Sequence, residues 1–317
     1  MAVLDPRGTE CLPVPAGSEA QAQLMARFTS LEQRLDEWAH RKLDEKISPN
    51  QSRARTWAIE FTVFVLKQAW ACVFGAALLA VLVLTRIWYP ESATLARNDF
   101  LVLAALTIQV LMVVFKLETL RELWVIILFH IVGTVMEVFK TDVGSWTYEG
   151  EGILHVFGVP LYSGFMYAAV GSYMVRVFRL FELRFDHYPR RWITAILALL
   201  IYVNFFSHHF IFDARWFLFA AIAVIYWRTV MHVRVSRARF RMPVLLAFVL
   251  VALFIWVAEN VATWSNAWVY PNQSDGWELV SIAKLGSWLL LMIVSVVLVT
   301  WVEKPRPPEV ERLAPED

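Results

Sequence analysis

Runs of about 20 apolar residues recur along this chain, and they constrain its fold more than any other feature. A helix needs about 20 such residues to cross the roughly 30 Å hydrocarbon core of a bilayer. Of the 317 residues, 58% are hydrophobic and only 18% are charged, whereas a soluble domain carries about 25% charged residues. The sequence therefore predicts a polytopic membrane protein. Its spans should be helices, because lipid offers backbone groups no hydrogen-bond partner.

Eight apolar segments are candidate membrane spans. They cover residues 58–86, 100–117, 121–142, 159–180, 192–208, 212–231, 243–264 and 279–302. Asn204, His208, His209 and Asp213 crowd the connection between the fifth and sixth segments, so six spans with a re-entrant region between them is the alternative. The expected fold class is all-α, a polytopic membrane helix bundle with eight transmembrane helices.

Arginines and lysines are spread unevenly over the two sides of this bundle. With the N-terminus in the cytoplasm, twenty of them fall on the cytoplasmic side, and only Arg86, Arg97, Lys140 and Arg215 fall on the other. The positive-inside rule therefore predicts a multi-pass protein of the inner (cytoplasmic) membrane with both termini cytoplasmic. The basic run 234–241 is then a juxtamembrane loop suited to anionic lipid headgroups, not a nucleic-acid site.

The pattern divides the chain into five segments. Residues 1–20 contain Pro and Gly without an apolar core and are expected to form a disordered tail. In residues 21–57, apolar residues recur at helical spacing between charges, which predicts an amphipathic helix on the cytoplasmic side. Residues 58–180 and 181–302 form two membrane halves, and 303–317 a short cytoplasmic tail. Two cysteines are too few for a disulfide framework.

A five-residue pattern occurs twice, with every pair separated by 122 residues. The first copy is Glu137, Thr141, Trp146, Tyr148 and Gly164, and the second is Glu259, Thr263, Trp268, Tyr270 and Gly286. The same offset places the third and fourth spans on the seventh and eighth. Because four spans return the chain to the same side, the two units would share one orientation about an axis along the membrane normal. The sequence thus predicts two parallel four-helix repeats.

The two glutamates are the main candidates for chemistry. A carboxyl group within a membrane span is costly and is usually functional. After each of the two helices comes a Trp-x-Tyr sequence whose aromatic residues share one face if the chain is extended: Trp146 with Tyr148, and Trp268 with Tyr270. These residues predict an outward-side pocket with aromatic walls and two carboxyl groups. Low dielectric favours the protonated form of a carboxyl group, and aromatic faces stabilise cations. Protonation of an alkene, binding of an ammonium group and proton-coupled transport all use these residue types.

Other polar side chains complete the candidate substrate-binding set. They lie at similar depth or beside the glutamates: His130, Asn204, His208, His209, Asn260 and Lys284. A His/Glu site for zinc or non-haem iron is an alternative. No HExxH or CxxC pattern is present, however, and adjacent histidines cannot both point inward from one straight helix. We therefore expect no metal, and no haem or other cofactor.

Structural interpretations compete with the functional one. Trp and Tyr at span ends commonly form the interfacial aromatic belt. Lys284 could neutralise Glu259 as an ion pair, and Lys140 could do the same for Glu137, one turn away. Lys67, on the inner half of the first span, is expected to snorkel towards the cytoplasm.

Several local sequences resemble a known family. They are His130–Glu137, Lys140–Tyr148, Gly158–Tyr167, Tyr202–His209 and Ala258–Asn260. Over about residues 25–302 the chain resembles a bacterial integral-membrane family known only as a domain of unknown function. That resemblance implies a multi-span membrane protein and carries no established activity.

A shorter similarity concerns membrane-embedded carotenoid hydratases and lycopene cyclases. Glu137, Gly144, Tyr148 and the Gly-Val-Pro-Leu sequence at 158–161 are similar to the hydratase pattern, which implies isoprenoid chemistry. The second copy lacks Gly-Val-Pro-Leu.

Three functions follow from these patterns. The first is an enzyme or binding protein for a lipid-soluble, isoprenoid-like molecule, with Glu137 and Glu259 as proton donor or acceptor, so enzymatic activity is left open. The second is a proton-coupled transporter, against which we count the scarcity of polar residues on the inner half, where Lys67 stands alone. The third is a non-catalytic scaffold. The expected partners are membrane lipids and a lipid-soluble small molecule, and no nucleic acid.

Overall fold

The computed structural model describes residues 32–34, 37–38, 41, 53–236 and 238–308. The chain forms two compact units, residues 1–59 and 60–317. The described residues at 32–34, 37–38 and 41 are helical. The predicted tail at 1–20, most of the predicted amphipathic helix at 21–57 and the last nine residues of the predicted tail at 303–317 lie outside the described residues.

Helices dominate the described part of the chain, in agreement with the expected class. They are α1 Arg53–Ala71, α2 Val73–Trp88, α3 Arg97–Val114, α4 Leu120–Asp142, α5 Tyr162–Leu180, α6 Arg191–Ser207, α7 Arg215–Tyr226, α8 Val244–Trp264 and α9 Lys284–Val302. A 3-10 turn covers Pro271–Gln273. Each of the eight predicted segments overlaps one of these helices, and the first overlaps two.

Fewer helices meet the requirements of a membrane span than the sequence predicted. Among the described residues, α3, α4, α8 and α9 are long and apolar enough, and α1 with α2 would make a fifth if the bent pair is one span. The helices α6 and α7 are apolar but short, at 17 and 12 residues. By length and composition the structure therefore supports four or five spans, which makes this a membrane protein but does not confirm eight.

The predicted first span is not one straight helix. It breaks between Ala71 and Val73, and the two parts are bent by 64°. Lys67 near this break is buried, and its ammonium group donates hydrogen bonds to the carbonyl oxygens of Leu180, at 3.1 Å, and Val235. The snorkelling interpretation of Lys67 was therefore wrong, because nearby backbone carbonyls satisfy the ammonium group inside the protein.

Two connections that the all-α class treats as loops contain short antiparallel sheets. In the first, β1 (His155–Val156) pairs with β2 (Val159–Pro160). In the second, β4 (Val230–Arg234) lies between β3 (Arg184–Asp186) and β5 (Arg239–Pro243). The described residues of the basic run 234–241 thus belong to the hairpin of β4 and β5, with Arg239 and Arg241 exposed.

The helices α4 and α5 lie so close together that only glycine fits at two positions where they touch. A Cβ atom at Gly133 would lie 2.4–2.7 Å from atoms of Tyr167, and one at Gly164 would lie 2.5–2.6 Å from His130 and Thr134. Small residues at such a crossing let helix backbones approach each other within a membrane. The two helices form one edge of a core to which α6, α7, α8 and α9 also contribute.

The structure contains several correspondences at the 122-residue offset. The helices α5 and α9 begin at positions 162 and 284 and end at 180 and 302. The helices α4 and α8 end at positions 142 and 264. Between the two connections that follow, Thr147 and Val269 form an antiparallel bridge, each donating its N–H to the other's carbonyl oxygen at 2.9 Å. A reciprocal contact between corresponding residues is the geometry that a twofold axis requires.

We predict that Gly133→Ala destabilises the protein by about 1–3 kcal/mol, because the new methyl group overlaps the Tyr167 ring. Gly75→Ala is the matched control, since its Cβ would meet Ala169 at an ordinary 3.5 Å and alanine is the better helix former by about 1 kcal/mol. Unfolding of both variants in mild detergent, followed by circular dichroism, measures the difference. Equal stability of the two variants would show that the close packing at Gly133 is not required.

Candidate functional site

The carboxyl group of Glu137, on α4, is buried and accepts three hydrogen bonds from aromatic side chains. Trp146 Nε1 and the Tyr148 hydroxyl donate to Oε2 at 2.8 and 2.6 Å, and the Tyr167 hydroxyl donates to Oε1 at 2.6 Å. Glu137 itself is 4% exposed. The predicted neighbours Trp146 and Tyr148 are thus brought to the carboxyl group by the turn that follows α4, and α5 supplies the third donor.

Glu259, on α8, has a corresponding environment. The Tyr270 hydroxyl donates to Oε1 and Trp288 Nε1 donates to Oε2, both at 2.6 Å. Tyr148 and Tyr270 each lie 11 residues after the glutamate to which they donate. Trp268 is buried next to this group and lines the cavity described below, but it makes no hydrogen bond to Glu259 in the described structure.

Both glutamates line one cavity of about 240 Å³. Its remaining walls are almost entirely apolar or aromatic, supplied by α2, α5, α8, α9 and the two Trp-x-Tyr connections: Leu78, Leu79, Leu82, Met166, Val170, Phe254, Ile255, Trp146, Trp268 and Tyr270 among them. The rings of Trp146 and Tyr270 meet edge to face, with centroids 6.0 Å apart, so the two connections touch each other at the cavity wall. Two buried carboxyl groups therefore face one apolar space.

The tyrosines in the two connections are held in their donor form. Burial and the charge of Glu137 raise the pKa of Tyr148 well above its usual range, and burial and the charge of Glu259 do the same for Tyr270. Both hydroxyls thus keep their protons at any physiological pH. They remain donors to the carboxyl groups.

The lysines that could have neutralised the glutamates lie elsewhere. Lys140 Nζ is 2.8 Å from His209 Nε2. Lys284 Nζ lies over the rings of Tyr270 and Trp146, 4.2 and 5.6 Å from their centroids. Among the described residues, neither lysine forms an ion pair with a glutamate. The ion-pair interpretation is therefore wrong at Glu137. Lys284 makes no ion pair at contact distance with Glu259, but its charge acts on that carboxyl group while it stacks on the tyrosine that donates to it.

The remaining predicted site residues do not line this cavity. Asn204 donates to Asp213 and accepts from the N–H of Ala214, which fastens the turn between α6 and α7. His208 bonds the carbonyl oxygen of Asn204 at 2.8 Å, so it belongs to the same turn. Asn260 donates to the Trp256 carbonyl and accepts from the N–H of Val280, which holds the connection before α9.

His130 lies between α4 and α5, outside the cavity lining. Its ring packs edge-on against Phe165, with centroids 4.8 Å apart, and covers Gly164. Among the described residues no group of three or more His, Cys, Asp or Glu side chains has a metal-binding arrangement. The alternative zinc or iron site therefore finds no support in this part of the chain.

Two of the five donors were missed by sequence reasoning. Tyr167 and Trp288 lie in the first turns of α5 and α9, 30 and 29 residues after their glutamates. The Glu–Trp–Tyr pattern ends before these helices, and at the offset of 122 residues Tyr167 corresponds to Leu289 rather than to Trp288. The sequence did contain a signal for these two donors. In each half, an aromatic residue that can donate a hydrogen bond lies in the first turns of the helix that follows the connection.

A second buried polar cluster lies at the opposite end of α5. Glu118 accepts hydrogen bonds from Gln109 Nε2 at 2.6 Å and from Ser172 Oγ at 2.5 Å, and Arg176 lies 3.6 Å from it. Arg176 is fully buried and also donates to the Leu117 carbonyl. The expectation that Lys67 is alone in this half of the bundle was therefore wrong. The bonds of the cluster join α3, the connection before α4, α5 and, through the Trp70 carbonyl, α1, as expected of a structural network.

Comparison with known proteins places the chain in a family. A family model described as a protein of unknown function (DUF817) matches residues 60–296. The chain belongs to this family. One relative is the uncharacterized protein YoaT of Bacillus subtilis (strain 168), which is 45% identical over 236 residues covering 74% of this chain and 89% of the relative. No solved structure matches the chain.

The family assignment confirms the resemblance inferred from the sequence. The matched region includes both glutamates, all five of their donors and the helices that line the cavity. The matched region leaves out the predicted N-terminal tail, so the candidate site belongs to the part of the chain that the family shares.

We predict that Tyr167→Phe destabilises the protein by about 1.5–3 kcal/mol, the usual range for a lost hydrogen bond to a charged group. Tyr202→Phe is the matched control, because its hydroxyl donates only to the neutral carbonyl oxygen of Val132, at 3.2 Å, and should lose about 0.5–1.5 kcal/mol. Chemical unfolding of both variants in detergent gives the comparison. A loss at Tyr167 no larger than that at Tyr202 would contradict a charge-assisted bond to Glu137.

Proposed function

We propose that this membrane protein binds a lipid-soluble, isoprenoid-like molecule in the cavity between Glu137 and Glu259, and that these carboxyl groups donate or accept a proton there. The observation that supports the proposal most strongly is that both glutamates line one otherwise apolar space. Apolar walls bind hydrocarbon, and the few polar groups in such a pocket orient the ligand or react with it.

The two glutamates differ in a way that suggests separate roles. Glu137 accepts three hydrogen bonds, and Glu259 accepts two. Hydrogen bonds to the charged form stabilise a carboxylate, so by hydrogen bonding alone the carboxyl group with fewer donors is the easier one to protonate, while the charge of Lys284 acts in the opposite direction at Glu259. We assign Glu259 as the proton donor and Glu137 as its ionised partner. Pairs of carboxyl groups in unequal environments divide acid and base roles in this way.

The aromatic walls suit the intermediate that such a proton transfer would form. Protonation of a carbon–carbon double bond leaves a positive charge on the ligand, and the faces of tryptophan and tyrosine attract cations. Trp146, Trp268, Tyr270 and Trp288 all line the cavity beside the carboxyl groups. Loss of a proton from carbon to Glu137 would then complete an isomerisation. Addition of water, with loss of one of its protons to Glu137, would complete a hydration, and return of that proton from Glu137 to Glu259 would restore both carboxyl groups.

We also propose that the membrane region consists of two duplicated four-helix units with eight membrane-crossing helices. Matching bounds of α5 and α9 and the reciprocal bridge between Thr147 and Val269 support it. Under this proposal the protein resides in the cytoplasmic membrane with both termini inside, and the lipids of that membrane are its immediate partners.

A fluorescent protein fused after residue 317 should then fluoresce in cells. An alkaline phosphatase fused there should be inactive, and the opposite pair of results would reject this orientation.

We predict that Glu259→Gln lowers turnover of the lipid-soluble substrate by about 100-fold or more, the usual contribution of a general acid. Glu137→Gln should cause a similar loss. Mass spectrometry of lipid and pigment extracts from cells carrying each variant measures the substrate that accumulates. Glu149→Gln is the control, because this glutamate is exposed in the connection after Tyr148. If deletion of the gene and both variants leave every extract unchanged, the proposed function fails.

A separate prediction concerns binding alone. We expect the wild type to copurify with its lipid-soluble ligand. Ala258 lines the cavity one residue before Glu259, so Ala258→Trp should fill the space and copurify without that ligand. Mass spectrometry of a solvent extract of the purified protein detects that molecule. Copurification at the wild-type level from a folded Ala258→Trp protein would show that the cavity is not the binding site.

A further inference from the structure

A group of basic side chains gathers at the end of the bundle where α4, α6 and α8 end and α7 and α9 begin. We call it the cationic cluster and define it by its members: Lys140, His208, His209, Arg215 and Lys284. Lys140 is buried, at 6% exposure, and Lys284 is partly buried. Among the described residues no carboxylate forms an ion pair with either lysine. Buried charges in proteins are normally paired, so this arrangement calls for a counter-charge.

The hydrogen-bond partner of Lys140 supplies no negative charge. Its ammonium group lies 2.8 Å from His209 Nε2, and the rings of His208 and His209 contact each other with centroids 4.0 Å apart and planes tilted by 40°. An ammonium group can only donate hydrogen bonds, so His209 must accept through Nε2. Burial and the positive charges of Lys140, His208 and Lys284 lower the pKa of His209, which keeps the ring neutral. The histidine positions the lysine without neutralising it.

The carboxylate of Asp213, next to the cluster, has other partners. Asp213 accepts from Arg215 Nε at 2.6 Å, from the N–H of Arg215 at 3.0 Å and from Asn204 at 3.2 Å. It therefore balances the charge of Arg215. Lys284 is attracted by the charge of Glu259 without forming an ion pair with it, so Lys140, bonded to a neutral histidine, is the cation of the cluster that most needs a counter-charge.

We propose that the cationic cluster binds an anionic group, a phosphate or a carboxylate, with Lys140 and Lys284 as its principal donors. Neutralising the buried ammonium group of Lys140 and the partly buried one of Lys284 makes binding favourable, and charge-assisted hydrogen bonds to such oxygens are about twice as strong as neutral ones. The rings of Trp146 and Tyr270 line the cavity, and Lys284 stacks on them without itself lining that space. The anion site is therefore distinct from the cavity between the glutamates.

The rim of the cluster suits the headgroup depth of a bilayer. Phe210, Ile211, Phe212 and Trp216 follow the histidines and are 73%, 67%, 71% and 75% exposed. Exposed aromatic side chains beside basic residues are typical of the membrane interface. A lipid phosphate at that depth and a soluble phosphate from the aqueous side present the same oxygens to Lys140 and Lys284.

The test uses the full-length protein in phosphatidylcholine nanodiscs and compares two sources of anion at constant ionic strength. Inorganic phosphate is added to one set, and phosphatidylglycerol replaces part of the lipid in the other. Binding should raise the midpoint of thermal unfolding of the wild type by about 2–4 °C. The double variant Lys140→Gln/Lys284→Gln should lose that rise. A rise with phosphatidylglycerol alone identifies a headgroup, and a rise with phosphate alone identifies a soluble anion.

Arg239→Gln is the matched control, since it removes an exposed cation from β5, outside the cluster, and should keep the full rise. If the double variant does not fold, Lys140→Met takes its place. Removing a buried, unpaired charge should leave Lys140→Met at least as stable as the wild type in chloride, yet less responsive to the anion. Equal rises in the wild type and the lysine variants, or no rise in the wild type with either anion, would overturn the proposal.

Discussion

The hydrogen bonds that satisfy the carboxyl groups of Glu137 and Glu259 organise one end of the bundle. A buried carboxyl group without partners would cost several kcal/mol, so each glutamate requires donors from neighbouring segments. For Glu137 they come from the connection after α4 and from α5, and for Glu259 from the connection after α8 and from α9. Each carboxyl group thus joins a helix, the connection that follows it and the next helix. The connections then meet through the bridge between Thr147 and Val269, so the two halves are held together where the carboxyl groups are satisfied.

Sequence reasoning succeeded where the information is local or periodic. Apolar runs located every helix of the membrane region, and the Trp-x-Tyr spacing located three of the five donors to the glutamates. It failed where a polar side chain has several partners within reach. Lys67 bonds carbonyl oxygens that are distant in sequence, and Lys140 bonds a histidine 69 residues away rather than the glutamate one turn before it. Such choices depend on which helices are neighbours, and a single sequence does not state that. The three-stranded sheet was missed for the same reason, because its strands come from two connections separated by α6 and α7.

The two halves differ in how α4 packs on α5 and how α8 packs on α9. In the first half, Gly133 receives the Tyr167 ring and Gly164 receives His130. At the offset of 122 residues, the corresponding positions hold Ile255, Leu289, Gly286 and Ala252. With no tyrosine at Leu289, the donor to Glu259 moves by one residue to Trp288. A one-residue shift rotates a side chain by about 100° around a helix. Under the proposed duplication, the second half has therefore kept the carboxyl group and replaced one of its donors, a hydroxyl, by an indole.

The replacement of a tyrosine donor by a tryptophan affects the proposed assignment of Glu259 as proton donor and Glu137 as its ionised partner. An indole N–H can only donate, whereas a tyrosine hydroxyl can also accept a hydrogen bond. If Glu259 carries a proton on the oxygen next to Tyr270, the hydroxyl can turn to accept it, while Trp288 continues to donate to the other oxygen. At Glu137 both oxygens face tyrosine hydroxyls, but the indole of Trp146 adds a third donor, which cannot accept a hydrogen bond instead. Protonation of either carboxyl group requires one hydroxyl rotation, of Tyr270 at Glu259 or of Tyr167 at Glu137, but only at Glu137 does the other oxygen keep two donors, which favours the ionised form there. Under the proposed function, this difference between two otherwise corresponding environments is what would let Glu259 act as the acid and Glu137 as the base of one cavity.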